Sequence, residues 1–578
     1  MCNSKLFKQV LFYLVFIFIT LNCVFSQISS DINDELYEDI VQWEISGKIQ
    51  KLPIVRPYPL SLIKDILLKV MECDDEIAAS QAAYHYRRYF SDGVIRFGSY
   101  LDTEFAAGDY SGSKKQFNVN PFVSANAEFL DKGSVNFYVT PIFSNIKRGK
   151  EILPVGKSRK YDYEADTANI GPINIFLSSS SLVAYGSPDV YVQAGVVRSN
   201  FGDFFNDGIL LNANANQAGH ISFSLNKDPI SFSMGMLLLT STNVRGEARS
   251  SQKYLYFHSI RYYPVTSIGL TFYESVITGP RFDFTYLLPA SLFMPIQQLI
   301  GYSNENVMMG IQFDYIMNNS LKIIGDICVD DFGFNDFVKL NFDTKMKFAA
   351  QLGLQFVPSS NNMLKIFQLD YTIVTPYMYA HSQYDNRQIS YGTNYQNHTT
   401  NGKPLGSQIP PNSDKINLSF KLNIIGNLKF NMTSTIIRHC NINENLPFDC
   451  IKQYLMEDEA NVNTSGNIFD YPDAGNGYFS YCQHHFMFLT QPTKYVCMQN
   501  DIEFEYTWEL GNRHTITAYI DWLFQYERNA GIDRNIYTGG HSESEATEAL
   551  AATQLVEWRS LLTNKVSNFF SLGVKYTY

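Results

Sequence analysis

The chain has 578 residues and a formal charge of −11, from 45 Lys and Arg against 56 Asp and Glu. Charged residues make up 17% and aromatics 15%, with 38 Tyr and 43 Phe but only 4 Trp. Soluble domains usually contain about 25% charged residues, so this composition argues against one, and the acidic balance argues against a nucleic-acid partner.

The chain opens with Lys5 and Lys8, then an apolar run over residues 10–21, then Val24-Phe25-Ser26 before Gln27. That order predicts a cleaved secretory signal peptide over 1–26. Residues 20–23 (TLNC) form a degenerate lipid-attachment box at Cys23, with Asn22 a poor fit. The apolar run is short for a membrane span, and no other stretch reaches about 18 continuous apolar residues. An exported chain of this kind crosses a membrane as strands or not at all.

Residues 27–92 predict a small helical periplasmic domain. Leu36, Ile40 and Trp43 recur at helical spacing behind an acidic start that suits a helix N-terminus, and Gly47 ends that helix. Pro53 and Arg56-Pro57-Tyr58-Pro59 form a rigid connector. Leu62, Ile66, Leu67 and Val70 mark a second helix, and residues 78–89 a third.

From residue 93 onward the period switches to two. Ile502, Phe504, Tyr506, Trp508 and Leu510 alternate with Asp501, Glu503, Glu505, Thr507 and Glu509. Successive strand side chains face opposite ways, so one face is greasy and the other carries carboxylates. Asp501, Glu503, Glu505 and Glu509 are excluded from the gap between two packed sheets and predict a polar lumen. The same alternation ends the chain at Tyr578, through Phe570, Leu572, Val574 and Tyr576. In a barrel this last strand must close against the first, and it would be what the barrel-assembly machinery reads.

About 18 such segments can be counted, an all-β transmembrane barrel of antiparallel strands over 93–578. Short turns at 131–133, 226–229, 426–427 and 511–512 are expected on the periplasmic side. Long connections near 145–172, 198–219, 240–252, 381–412, 441–478 and 528–555 are expected outside. Cys440 with Cys450, and Cys482 with Cys497, are expected loop-closing disulfides, against the alternative of four free thiols. Cys73 and Cys328 read as lone thiols, buried or facing the membrane.

Several stretches carry a family resemblance. Residues 307–332 read VMMGIQFDYIMNNSLKIIGDICVDDF, and residues 368–381 read QLDYTIVTPYMYAH, followed by Pro404-Leu405-Gly406 and Asn417. Gly202, the NANAN of residues 212–216 before His220-Ile221, and Gly47, Pro53 and Arg56-Pro57 add to it. Together they resemble the Wzi family of capsule-assembly outer-membrane barrels, over residues 35–578. The resemblance implies 18 strands, a periplasmic helical domain, and sugar binding rather than catalysis in the assembly or attachment of surface polysaccharide. The acidic insert of residues 444–473 departs from the family pattern.

Tyr377, Tyr379, His381, Tyr384 and Tyr391 enter one long connection and form the candidate glycan platform, since aromatic faces stack on sugar rings. An interfacial aromatic girdle is the competing reading for Tyr377 and Tyr379. Adjacent His484 and His485 point to opposite faces, so with Cys482 they make a poor metal site. Asp326, Asp330 and Asp331 read as a solvated strand end, with a cation site or a pore lining as the alternatives. No catalytic motif stands out, and neither an enzyme nor a cofactor is expected. The expected partners are the lipid bilayer and a surface polysaccharide, for a monomer in the outer membrane. A passive porin is the alternative function, with cation preference from its acidic strand, and a surface adhesin is a third.

Overall fold

The computed structural model describes residues 30–577 apart from 91–94, 110–113, 148–149, 153, 156–165, 205–206, 243–247, 290, 301–304, 332–338, 340–345, 359–362, 382–392, 457–486 and 511–513. Its main body is a closed barrel of eighteen long antiparallel strands, from Ile95–Gly108 to Thr563–Thr577. A short strand, Asp166–Ile170, pairs beside Ile173–Gly186. The last strand meets the first in register from Tyr100↔Thr577 to Gly108↔Phe569, which closes the ring. Closure leaves no unpaired sheet edge in lipid, where an unsatisfied backbone group costs several kcal/mol.

The alternation read in the sequence sorts the two faces. Phe105, Phe504, Ile520 and Leu572 lie in one row across four adjacent strands and are all exposed on the outside. Asn118, Asn120, Ser124 and Asn126 on a neighbouring strand are buried on the inside. An apolar outer face with a polar inner one is the pattern of a transmembrane barrel. Among the described residues no helix is long and apolar enough to cross a membrane.

One end of the barrel carries short turns. Leu130 and Asp131 (φ 51° and 60°), and Asn318 and Asn319 (φ 52° and 51°), take the left-handed conformation that two-residue hairpins require. The opposite end carries the long connections, including 198–217, 375–412, 440–494 and 531–562. Two further long connections, 279–305 and 332–346, escape the sequence reading. The long loop expected at 240–252 is shorter, because a strand already begins at Ala248.

Among the described residues three helices precede the barrel: α1 (Glu35–Ile45), α2 (Leu60–Met71) and α3 (Glu76–Phe90). Asp34 caps α1, its carboxylate accepting from the Leu36 N–H at 3.0 Å. Leu36, Ile40, Trp43, Ile63, Leu67 and Ala82 form their shared core. The helices sit at the short-turn end, where Val41 and Ile45 pack on Val357 and Ile366 of the wall. Gly47 ends α1 at φ +75°, and a Cβ there would lie 2.9 Å from the Asn319 side chain of a barrel turn. Among the described residues three more helices lie in the long connections: α4 (Phe293–Ile300), α5 (Phe448–Met456) and α6 (Glu548–Ser560).

The expected cysteine pairs do not form. Cys440 and Cys497 are free thiols buried at the outer end of the wall, whereas Cys450 is disulfide-bonded. Proximity in sequence misled because Cys440 follows one wall strand, Cys497 lies in the next, and Cys450 is carried away on α5. The signal segment, Tyr578, Cys482, His484 and His485 lie outside the described residues.

The outward row makes a direct prediction. Ile520→Arg should destabilise the folded barrel in lipid by up to about 2–4 kcal/mol, whereas Ser571→Arg on the inward face should not carry this lipid penalty. Urea unfolding in phospholipid vesicles measures both.

Candidate functional site

The candidate site is the lumen and its outer mouth. From the short-turn end, α1 presents acids to lysines on the inside of the wall. Glu35 pairs with Lys429 at 3.2 Å, Asp39 with Lys365 at 2.8 Å and Glu44 with Lys322 at 2.7 Å, and Glu38 pairs with Lys421. Residues three and four apart share one helix face, so Glu35, Glu38 and Asp39 point the same way. The acidic start of α1 therefore complements the wall as well as its own helix dipole.

The expected lumen acids fall into this scheme. Asp501, Glu503 and Glu505 are half-buried and Glu509 is exposed at the turn end. Glu505 shares Lys429 with Glu35, at 3.4 Å, and Glu503 accepts from Asn431 Nδ2 at 2.9 Å. Lysines from adjacent strands offset the carboxylates of the inner wall.

Near the short-turn end of the lumen lies a buried charge network that the sequence reading missed. Arg261 reaches Asp203 at 2.9 Å and Asp314 at 2.5 Å, while Lys322 reaches Asp203 at 3.3 Å and Glu44 at 2.7 Å. Asp203 belongs to the 198–217 connection, which folds inward from the far end. There Asn200–Phe201 pairs with Val55–Arg56 of the helical domain. The Arg56 guanidinium donates to Asn200 Oδ1 at 2.9 Å and to the Gly202 carbonyl at 3.1 Å. Helical domain, inner loop and wall thus meet at one point. Arg261, Asp314 and Lys322 all stand on the inward period of their strands, which was the available signal.

Toward the outer end the filling turns apolar. Ile209, Leu210 and Leu211 pack against Leu237, Leu255 and Phe257 of the wall, and Tyr454 of α5 and Trp558 of α6 join the same core. The 145–165 connection also reaches inside, where the Val155 N–H donates to Gln525 Oε1 at 3.1 Å.

Tyr377 and Tyr379 belong to this core and not to an exposed platform. They are 4% and 1% exposed. The Tyr379 hydroxyl donates to the Ile209 carbonyl at 2.7 Å, its ring stacks on His398 at 5.3 Å, and its N–H donates to Asp330. Both hold left-handed backbone, at φ 63° and 72°, so the TPYMYA run turns sharply inward instead of leaving the barrel as an extended rim. His398 is also buried and bonded to the Leu210 carbonyl at 2.7 Å, and burial pulls its pKa down to about 4. His381 lies half-buried beside them, its Nδ1 2.9 Å from Gln396 Oε1. Tyr384 and Tyr391 lie outside the described residues.

Asp326 accepts from the Tyr273 hydroxyl at 2.8 Å, so it and Asp330 are engaged within the filling. Among the described residues no group of three His, Cys, Asp or Glu side chains is placed to hold a metal ion. Two features were not foreseen. Tyr100, Phe122 and Tyr138 form an inward aromatic ladder with centroids 4.3 and 5.1 Å apart, and Lys575 lies 4.2 Å over Tyr100. A cleft of about 270 Å³ between the helical domain and the turns is lined by Lys51, Asp65, Lys69, Asp189 and Asp228.

Removing one partner from the central network strands a buried charge. Lys322→Ala should therefore destabilise the protein by about 3–5 kcal/mol, and Lys322→Met with Glu44→Leu should recover part of that loss; chemical denaturation measures both. The pH dependence of the α1 contacts has a defined sign. Burial alone would raise the Asp39 carboxyl, but Lys365 and His85 hold it down to about 2, below its ordinary 3.8. Its contribution is complete above the ordinary value and is lost as pH falls through the lowered one. Protease resistance of residues 31–90 should hold from pH 7 to about pH 4 and fall below that.

No family model matches the sequence, and no curated protein matches it. Solved structures do. The chain is similar to Wzi of Escherichia coli, an outer-membrane protein involved in group 1 capsule assembly and described as a carbohydrate-binding β-barrel, with 9% identity, a TM-score of 0.52, and coverage of 94% of this chain and 98% of that one. It is also similar to OprD of Pseudomonas aeruginosa, with 9% identity, a TM-score of 0.40, and coverage of 84% and 95%. OccAB2 of Acinetobacter baumannii gives 10% identity, a TM-score of 0.43, and coverage of 84% and 99%. At these identities the likeness is one of fold, that of an outer-membrane barrel, and it agrees with the resemblance read in the sequence.

Proposed function

We propose that the protein is a plugged outer-membrane barrel that holds exported polysaccharide, capsule or lipopolysaccharide, at the cell surface by non-catalytic contacts. The observation that carries this reading is the occupied lumen. Charged helices enter it from one end, an apolar loop core fills it from the other, and a buried ion network joins them. A solute channel needs a continuous wet path, and this filling favours a surface-holding role over diffusion. The carbohydrate binding described for Wzi points the same way.

Burial withdraws Tyr377 and Tyr379 from glycan contact and gives them a supporting role beneath the outer mouth. His381 stays at the edge of that support, and the sequence carries Tyr384 and Tyr391 onward from it. These three remain the proposed contact residues. The helical domain faces the periplasm, where its cleft is open to assembly partners.

Deletion of the gene should shift polysaccharide from the cell-bound to the shed fraction, read by quantifying both. Unchanged retention would reject the proposal. In planar bilayers the purified protein should show no steady open level, and a stable ohmic conductance would return the reading to a porin.

A further inference from the structure

The 279–305 connection does not join the lumen filling. It turns over the outside of the barrel. Tyr286 and Phe293 pack on Met236, Tyr256 and Val276, and these stand on the same outward rows as the exposed Ile230, Ile260, Leu270 and Phe272. On those rows sits a buried polar pair, His258 Nε2 3.0 Å from Glu274 Oε2. The flap roofs the pair: the Phe293 N–H donates to Glu274 Oε2 at 2.9 Å, and the Phe293 ring lies 4.3 Å from the His258 ring. An ionisable pair left bare on the lipid-facing wall would be expensive. Here it is covered and used to fasten the cover.

The outer surface of the flap is itself apolar. Phe282, Phe284, Leu288, Leu292 and Met294 are exposed, and Leu299 at the end of α4 is 84% exposed. Several of its polar groups are engaged at its base. The Asp283 N–H donates to the Tyr256 hydroxyl at 2.9 Å, Arg281 pairs with Asp283 and reaches Glu305 at 3.8 Å, and Gln297 donates to the Glu305 carbonyl at 2.7 Å. The apolar surface continues directly into the belt of Ile260, Tyr262, Leu270 and Phe272 below it.

We propose that residues 281–300 form a lipid-immersed flap, with the outer apolar face in the acyl chains of the outer leaflet and the inner face sealing His258 and Glu274 from hydrocarbon. Continuity with the lipid-facing belt selects acyl chains as the occupant, because the flap adds apolar surface where the wall already requires lipid.

The test places a photoreactive benzoylphenylalanine at Leu299 in the full chain, irradiated in outer membranes, with Phe504 on the bare wall as reference. Mass spectrometry should find a one-lipid adduct at both positions. A cross-linked second copy at 299, a cross-link to another protein, or no adduct at 299 while 504 is labelled, would overturn the proposal. The same probe at Leu292 gives an independent reading if the first variant inserts poorly.

Discussion

The structure depends on a few buried charges that have no water to fall back on. Asp203 sits between Arg261 and Lys322, and Lys322 also holds Glu44 of α1. Each ion is costly to desolvate, so the group persists only because every member has an opposite charge within reach. That condition couples three parts of the chain that could otherwise move apart: the first helix, an inward loop and the wall. Fixing Asp203 also fixes the loop core above it, because the same connection carries Ile209, Leu210 and Leu211 into the apolar filling. Polar specificity near the short-turn end and hydrophobic burial toward the mouth are two ends of one segment.

The wall was legible in the sequence because its rule is local. A strand alternates, so Phe504 and Glu503 declare their sides without knowledge of any partner, and the final strand announced both its lipid row and its need for a neighbour. The three leading helices were equally plain from their apolar spacing. The filling was not legible, because its rule is one of matching. Glu35, Glu38 and Asp39 read as a helix start, and only the wall lysines opposite show their second use. Tyr377 and Tyr379 read as rim aromatics because tyrosine is common there, and nothing in the TPYMYA run reveals its left-handed turns. The cysteines were paired by sequence distance, which is a poor guide when two wall strands and a helix separate them in space. The 279–305 flap escaped because its apolar run resembles wall sequence.

The barrel therefore presents two different surfaces built from one alphabet. Outward apolar residues need only lipid, so they tolerate variety, and Phe, Ile, Val and Leu alternate freely along the belt. Inward residues must match what fills the lumen: Arg261, Asp314 and Lys322 in ion pairs near the turns, and Leu237, Leu255 and Phe257 against the loop core toward the mouth. This difference explains how a chain with 9% identity to Wzi can keep the same fold.

The pairing of the first wall strand with the last has a consequence for biogenesis. The helices and the Val55–Arg56 ribbon precede every wall strand in the chain, yet that ribbon is gripped inside the finished cylinder by Asn200–Phe201. The seam cannot be sewn until translation and export have delivered Tyr576 and Thr577. The ribbon held at the heart of the cylinder thus comes from near the start of the chain, while the seam that encloses it is made by the last strand.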